Sequence, residues 1–158
     1  METKALKKAM MTSISEILET MFFMPLEFSE NEDLTTIGDS SEEPLLAVAL
    51  KFEGPISGQF MAVIPNSLAK TLSANLLGLE SDQVERAHVE ATLREMINMT
   101  AGKTFSLYDS QSVFKLDIPE MIDAQMVLGD ASSQPTAEIV VVVDTEEASL
   151  GFKLIKVD

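Results

Sequence analysis

The sequence has no cysteine at all and only one histidine in 158 residues. Without cysteine there can be no disulfide bonds, thiolate nucleophiles or zinc–thiolate sites, and this absence is compatible with a reducing compartment. No run of about 18 apolar residues occurs, so no membrane-spanning helix is predicted. The N-terminus carries three lysines, but Ser13 and Glu16 interrupt the stretch that follows. We therefore expect no signal peptide and a cytoplasmic protein.

Basic residues are also scarce, because 11 Lys and Arg stand against 26 Asp and Glu, for a formal net charge of −15. A surface of this sign repels phosphate backbones and anionic headgroups, so we expect neither nucleic acid nor membranes as partners. Acidity by itself indicates solubility rather than catalysis. Hydrophobic residues still make up 46% of the chain, which is enough for one domain over residues 1–158 with a sizeable core.

Three stretches have apolar residues at helical spacing and are predicted to be helices. The first covers residues 4–24 and stops at Pro25. The second opens at residues 65–67, which combine proline with cap-type side chains, and ends at Gly78. The third starts near residue 83 and runs beyond residue 100.

Apolar runs also predict six strands, at residues 46–52, 59–64, 113–116, 124–128, 137–144 and 149–157. The first two are expected to pair as a hairpin around Gly54 and Pro55. Residues 139–143 are apolar at every position, which predicts burial on both faces. The acidic stretch 28–44 is predicted to be a loop or an irregular edge. This order predicts an α+β fold with two long helices packed on one face of an antiparallel sheet.

The third predicted helix has two contrasting faces. Its core face is expected to comprise Val89, Leu93, Met96, Ile97 and Thr100. On the opposite face, Glu95 and Asn98 are three residues apart, so their side chains are neighbours. Ala91 and Gly102 flank them and have almost no side chain. A partner's backbone could therefore approach the pair closely.

The chemistry of this pair suits phosphoryl transfer better than most other reactions. A carboxamide can hold a water and aim its lone pair without losing a proton, and phosphoryl transfer depends mainly on positioning and charge neutralisation. The Glu95 carboxylate can pair with a partner's cation. Two carboxylates would be needed for glycoside hydrolysis, and more hard ligands for a metal site. Glu and Asn also occur at this spacing on ordinary solvated helices. The pattern alone therefore does not decide between a functional pair and an ordinary solvated face.

Three segments together carry a resemblance to a known family. They are the E-x-x-N pair with its following glycine at residues 95–102, the strand–proline–helix stretch at 58–78, and the first-helix segment at 17–21. In order and spacing they resemble the CheC/CheX family of bacterial chemotaxis phosphatases over nearly the whole chain. The resemblance implies a CheC/CheX-like pseudo-two-fold domain, closer to CheX because only one pair is complete.

The resemblance also implies a function, since the family dephosphorylates the response regulator CheY in two-component signalling. Asn98 would orient the attacking water on the aspartyl phosphate, and Glu95 would pair with a lysine of the regulator. Ala91, Met99 and Gly102 would line the partner-binding surface. The Mg²⁺ ion of the reaction is bound by the regulator, so no cofactor of this chain's own is expected. CheX-like members dimerise, and the apolar strands 137–144 and 149–157 favour a homodimer as well.

Two departures from the family pattern keep an alternative open. Ala91 stands where the family usually has Asp or Ser, and Phe22 stands where a second Asn would follow Ser15 and Glu19 on the first helix. The alternative is a non-catalytic module that binds a response regulator or forms part of a flagellar or signalling assembly. Asn98 favours the phosphatase, because a pure binding surface needs no water-aiming carboxamide. Ala91 favours the module.

The remaining candidate residues are predicted to have structural rather than functional roles. His88 could be a catalytic base or a structural histidine, and the second interpretation is favoured because the proposed chemistry needs no base. Phe22 and Phe23 are expected in the core rather than at a binding surface. The serines have no His and Asp beside them in the sequence, so nothing supports a hydrolase triad.

Overall fold

The computed structural model describes residues 2–39, 43–129 and 137–157. In chain order its elements are α1 (Glu2–Met21), β1 (Glu27–Phe28), α2 (Thr35–Asp39), β2 (Leu45–Glu53), β3 (Ser57–Pro65), α3 (Asn66–Leu77), a 3-10 turn (Ser81–Gln83), α4 (Arg86–Tyr108), β4 (Lys115–Leu116), β5 (Glu120–Ile122), α5 (Gln125–Leu128), β6 (Ala137–Asp144) and β7 (Ser149–Val157). Among the described residues, no helix is long and apolar enough to cross a membrane.

The strands form one antiparallel sheet in the order β1-β6-β7-β3-β2-β4, and β5 pairs with β2 beside β4. The predicted first hairpin is confirmed, with register from Leu45 opposite Pro65 to Phe52 opposite Gly58. The strands β6 and β7 form a second hairpin, and β7 also pairs with β3. The fold is therefore the predicted α+β arrangement.

The two faces of the sheet are covered by different elements, because alternate strand residues point to opposite sides. On the inner face, residues such as Val48, Phe60 and Phe152 pack beneath the apolar stripes of α1, α3 and α4. The outer face includes Met61 and Val142 and is covered by residues of α2, α5 and their flanks. Strand β6 contributes buried residues to both faces, as its apolar run predicted.

The long helices α1 and α4 lie side by side on the inner face, which confirms the central fold prediction. Leu6, near the start of α1, and Tyr108, at the end of α4, line the same small cavity. The helices therefore run antiparallel. Between them, Lys103 Nζ of α4 pairs with Glu16 Oε2 of α1 at 2.7 Å.

Gly78 and Gly151 stand where the backbone conformation or close packing favours glycine. Gly78 follows α3 with a φ of 69°, a left-handed conformation that favours glycine, and this confirms the predicted end of the second helix. Gly151 of β7 faces the α2 region. A Cβ at Gly151 would lie 2.2 Å from Leu34 Cδ2 and 2.8 Å from Ile37 Cδ1. The lack of a side chain at Gly151 therefore lets the α2 region pack directly on the sheet.

The predicted strand at residues 124–128 is wrong, because these residues form helix α5 and the strand in this region is β5. Asp123 explains the difference. Its Oδ1 accepts the Gln125 backbone N–H at 2.9 Å, and its carbonyl accepts the Met126 N–H at 2.9 Å, so the chain turns into a helix. A short apolar run cannot by itself distinguish a strand from a buried helix.

The stretch predicted as a loop or an irregular edge at 28–44 contains regular structure in its described part, and β1 lies at an edge of the sheet. Strand β1 pairs with the end of β6, and α2 packs on the outer face of the sheet. Asp33 starts α2 by accepting hydrogen bonds from the Thr35 backbone N–H at 3.0 Å and from Thr35 Oγ1 at 2.7 Å. These bonds lower the pKa of Asp33 below its usual value. Residues 40–42 of this stretch lie outside the described residues.

Candidate functional site

The start of α4 is fixed by its own cap. His88 Nδ1 accepts the backbone N–H of Glu85, the residue that precedes the helix, at 3.0 Å. The helix begins at Arg86, three residues after the predicted start. A separate 3-10 turn at residues 81–83 ends where the helix was predicted to begin. The only histidine therefore caps the start of α4, which supports its assignment as a structural residue.

The rotation of α4 about its axis is fixed by its core face. All five predicted core residues are buried, namely Val89, Leu93, Met96, Ile97 and Thr100. Farther along, the Phe105 ring lies 4.5 Å from those of Phe52 and Phe114 and 6.3 Å from that of Phe60, measured between centroids. Because a packed aromatic cluster has few alternative arrangements, the opposite face of α4 is presented to solvent in one orientation.

On that opposite face the side chains of Ala91, Glu95 and Asn98 are exposed, and Met99 and Gly102 are half-buried. The helix thus brings all five predicted site residues to one surface. Among the described residues, neither the Glu95 carboxylate nor the Asn98 carboxamide has a hydrogen-bond or ion-pair partner. The carboxylate and the carboxamide are both open to a partner.

The nearby arginines of α4 are engaged elsewhere. Arg86 Nε donates to Glu90 Oε2 at 2.9 Å, and Arg94 lies 3.8 Å from Glu90 Oε1. Glu90 therefore lies within ion-pair distance of Arg94, the arginine next to Glu95 in the chain, as well as of Arg86. This arrangement favours a partner's cation as the ligand of the Glu95 carboxylate.

Gly102 lies one turn beyond Asn98 and leaves a flat surface that the fold does not require. A Cβ at Gly102 would meet only Leu116 Cδ1, at 3.9 Å, which is ordinary van der Waals contact. Glycine within a helix costs about 0.5–1 kcal/mol relative to alanine. The glycine therefore lowers helix stability at a position where a methyl group would fit.

Gly102 also opens onto a surface depression of about 190 Å³ at the end of α4. Its walls are Gly102, Phe105, Ser106, Asp109, Ser110, Ser112, Phe114 and Leu116. Ser112 Oγ donates to Asp109 Oδ2 at 2.5 Å, and this bond lowers the pKa of Asp109. The depression extends the flat surface beyond the Glu95 and Asn98 pair.

The corresponding face of α1 does not carry a second complete pair. Ser15 Oγ donates to Glu19 Oε1 at 2.6 Å, so these two side chains bind each other. Phe22, at the position of a second Asn, is fully buried in the core. The two long helices are alike in packing and differ in chemistry.

The prediction that Phe22 and Phe23 both belong to the core is right for Phe22 and wrong for Phe23. Phe23 is 69% exposed and has a φ of 52°. Pro25 is the signal that could have revealed this turn. Proline disfavours a helical conformation in the preceding residue, Met24, so the chain has to leave the helix before it.

Among the described residues, no cluster of His, Asp and Glu could hold a metal ion. The site therefore consists of one carboxylate, one carboxamide and the flat surface around them. Such a set can bind a cation and position a water.

The sheet, the antiparallel helix pair and the exposed E-x-x-N face define a CheC/CheX-like fold. Residues 46–142 match the family described as chemotaxis phosphatase CheX, and the chain therefore belongs to the CheX family. The matched range contains Glu95 and Asn98. No curated protein matches the chain.

Three solved structures illustrate the similarity of fold. The chemotaxis protein CheX from Vibrio vulnificus has a TM-score of 0.70 at 15% identity, with 94% of each chain covered. A CheC-like superfamily protein from Shewanella sp. PV-4 has a TM-score of 0.73 at 15% identity, with 98% of each covered. The CheX–CheY–BeF3–Mg²⁺ complex from Borrelia burgdorferi has a TM-score of 0.70 at 17% identity, covering 96% of this chain and 97% of that one.

Proposed function

We propose that this protein is a cytoplasmic phosphatase for the aspartyl phosphate of a CheY-like response regulator. The observation that carries the proposal is the exposed Glu95 and Asn98 pair, which has no partner among the described residues and lies on a helix whose orientation is fixed by its core. Membership of a family of chemotaxis phosphatases supports the same reaction. The CheX–CheY complex of a relative supports a regulator of the CheY type as the partner.

In the proposed reaction the Asn98 carboxamide orients a water for in-line attack. The water oxygen forms a bond to phosphorus while the bond between phosphorus and the aspartyl oxygen breaks. The products are the regulator's free aspartate carboxylate and inorganic phosphate, and the water proton leaves with phosphate or passes to solvent. Asn98 neither gains nor loses a proton, so its contribution is positioning in the transition state. The magnesium ion of the reaction would be supplied by the regulator.

Glu95 has a different role in the proposal, because it forms an ion pair with a lysine of the regulator. Its carboxylate is exposed, and Arg94, next to it in the chain, lies 3.8 Å from Glu90. Docking this lysine would place the phosphoryl group over Asn98, one turn farther along α4. Charge pairs at interfaces affect the association rate and its salt dependence, so Glu95 would contribute to encounter as well as to alignment.

The test is phosphate release from a panel of phosphorylated CheY-like regulators, with and without the protein. Asn98→Ala should lower the rate acceleration by about 10²–10³, as removal of other preorganised polar groups does. It should leave binding to the beryllofluoride-activated regulator nearly unchanged. Gln111→Ala is the matched control, because Gln111 is an exposed carboxamide beyond α4.

The outcomes also separate the phosphatase from the non-catalytic module. Binding of an activated regulator without any phosphate release would support the module, on the same fold and through the same helix face. Unchanged turnover by Asn98→Ala would contradict the water-positioning role even if the wild-type protein is active.

A further inference from the structure

Phe23 combines backbone strain with exposure of a large apolar side chain. Its φ of 52° makes it the one non-glycine residue with positive φ in the described part of the chain. This region is unfavourable for a bulky residue and is commonest for glycine, asparagine and aspartate. The turn is held by the Met24 N–H, which donates to the Leu18 carbonyl at 2.9 Å, and by Asn75 Nδ2, which donates to the Phe22 carbonyl at 2.8 Å.

Two further apolar side chains lie at this end of the molecule. Met21, at the end of α1, is 40% exposed, and Leu77, at the end of α3, is 45% exposed. The Asn75 hydrogen bond to Phe22 places the end of α3 beside the end of α1. We call Met21, Phe23 and Leu77 the Phe23 patch. Glycine would relieve the backbone and a polar side chain would be better hydrated, so folding alone does not favour phenylalanine at this position.

The Phe23 patch lies close to the level of Glu95 along the helix pair. The Glu16–Lys103 ion pair gives a common reference point on α1 and α4. Glu95 lies eight residues before Lys103, about 12 Å along α4, and Met21, the last residue of α1, lies five residues after Glu16, about 8 Å along α1. Because the helices are antiparallel, both displacements have the same direction. The two helix axes of such a packed pair are about 8–10 Å apart.

A regulator docked on Glu95 and Asn98 would therefore cover the Phe23 patch. A stable interface buries about 800 Å² on each partner, equivalent to a disc of about 16 Å radius. The end of α1 at Met21 falls inside a disc of this size centred on Glu95, and Phe23 follows Met21 by two residues. Aromatic residues and methionine are enriched at interfaces relative to the rest of a protein's surface.

We propose that the Phe23 patch is the apolar anchor of the response-regulator interface, and that Phe23 inserts between apolar side chains of the regulator next to its phosphorylation site. This inference rests on the proposed function, since it assumes the same partner. It assigns the specificity of docking partly to the end of α1, a helix without a complete catalytic pair. Asn98 would then contribute to the rate of hydrolysis, and Phe23 would contribute to the affinity for the regulator.

The experiment compares Phe23→Gly and Phe23→Asn with wild type, using purified CheY-like regulators activated by beryllofluoride and Mg²⁺. Both replacements tolerate positive φ, so the melting temperature should stay equal or rise. The Kd for the activated regulator should increase about tenfold or more, as expected for a buried aromatic anchor. In turnover, KM should rise by a similar factor while kcat at saturation stays unchanged. Ile118→Ala is the matched control, because Ile118 is 78% exposed and lines an outer-face cavity with Ala49 and Met126.

The possible results separate this inference from the proposed function. If Asn98→Ala loses turnover while both Phe23 variants keep wild-type Kd and KM, the anchor is refuted and the phosphatase stands. If wild type binds activated regulators without hydrolysis and the Phe23 variants bind weakly, the anchor stands and the phosphatase fails. Lower melting temperature in both variants with unchanged binding would identify Phe23 as a structural residue. Absence of binding to every regulator in the panel would overturn both.

Discussion

Replacement of Gly102 by alanine should raise the stability of the fold and lower the rate of the proposed reaction. The added methyl group would contact only Leu116 Cδ1, at 3.9 Å, so it fits the folded chain. Alanine in a helix interior is more favourable than glycine by about 0.5–1 kcal/mol. For a chain of this size, that corresponds to a rise in melting temperature of roughly 1–4 °C.

The same methyl group should impair the proposed reaction. It would stand one helical turn from Asn98, on the flat surface over which the regulator's backbone would approach. A displacement of about 1 Å between water and phosphorus can cost up to about 10² in rate. We therefore expect phosphate release to fall about tenfold to a hundredfold in Gly102→Ala, although the protein becomes more stable.

The measurements are thermal unfolding and phosphate release from a phosphorylated regulator. Thr12→Ala is the control, since it also improves helix propensity at an exposed position but lies on α1, away from the surface around Asn98. A lower melting temperature in Gly102→Ala would show that the glycine is required by the fold. Unchanged turnover would show that the partner does not pass over this surface, and either result would refute the reasoning.

The remaining predictions concern docking, the outer face of the sheet and assembly. Glu95→Ala should weaken binding as well as turnover and reduce the salt dependence of association, which stopped-flow binding at several ionic strengths would measure. Gly151→Ala should destabilise the fold by about 1–3 kcal/mol, because its Cβ would overlap Leu34 and Ile37; urea unfolding checks this. Lys153→Ala should cost about 1–3 kcal/mol in the same assay, since the buried Lys153 Nζ donates to the Val127 carbonyl and pairs with Glu138, each at 3.0 Å. The protein should be a homodimer, and a monomeric mass by light scattering at tens of micromolar would contradict that expectation.

The two faces of α4 could be read from the sequence because helix geometry is local. A repeat of 3.6 residues places Leu93, Met96 and Ile97 on one side and Glu95 and Asn98 on the other, whatever surrounds the helix. The helix end at Gly78 was equally predictable, because a left-handed residue there favours glycine. The chemical roles proposed for Glu95 and Asn98 rest on the resemblance, since the spacing alone does not distinguish a site from a solvated surface.

Other features were decided only by the tertiary structure, because they depend on residues far apart in the chain. Residues 125–128 are a helix because Asp123 caps them and the sheet has room for them on its outer face. Lys153 sits in an alternating strand pattern, yet it is buried because the carbonyl of Val127, 26 residues away, accepts its hydrogen bond.

The position of Phe23 beside the level of Glu95 is a third example. It follows from the antiparallel packing of α1 and α4, which are separated by more than sixty residues. A sequence pattern determines which face of a helix is apolar, because that depends on neighbours three and four residues away. Which helix packs against this face, and in which direction, depends on the whole sheet beneath the two helices. The surface that α1 and α4 share therefore exists only in the folded chain.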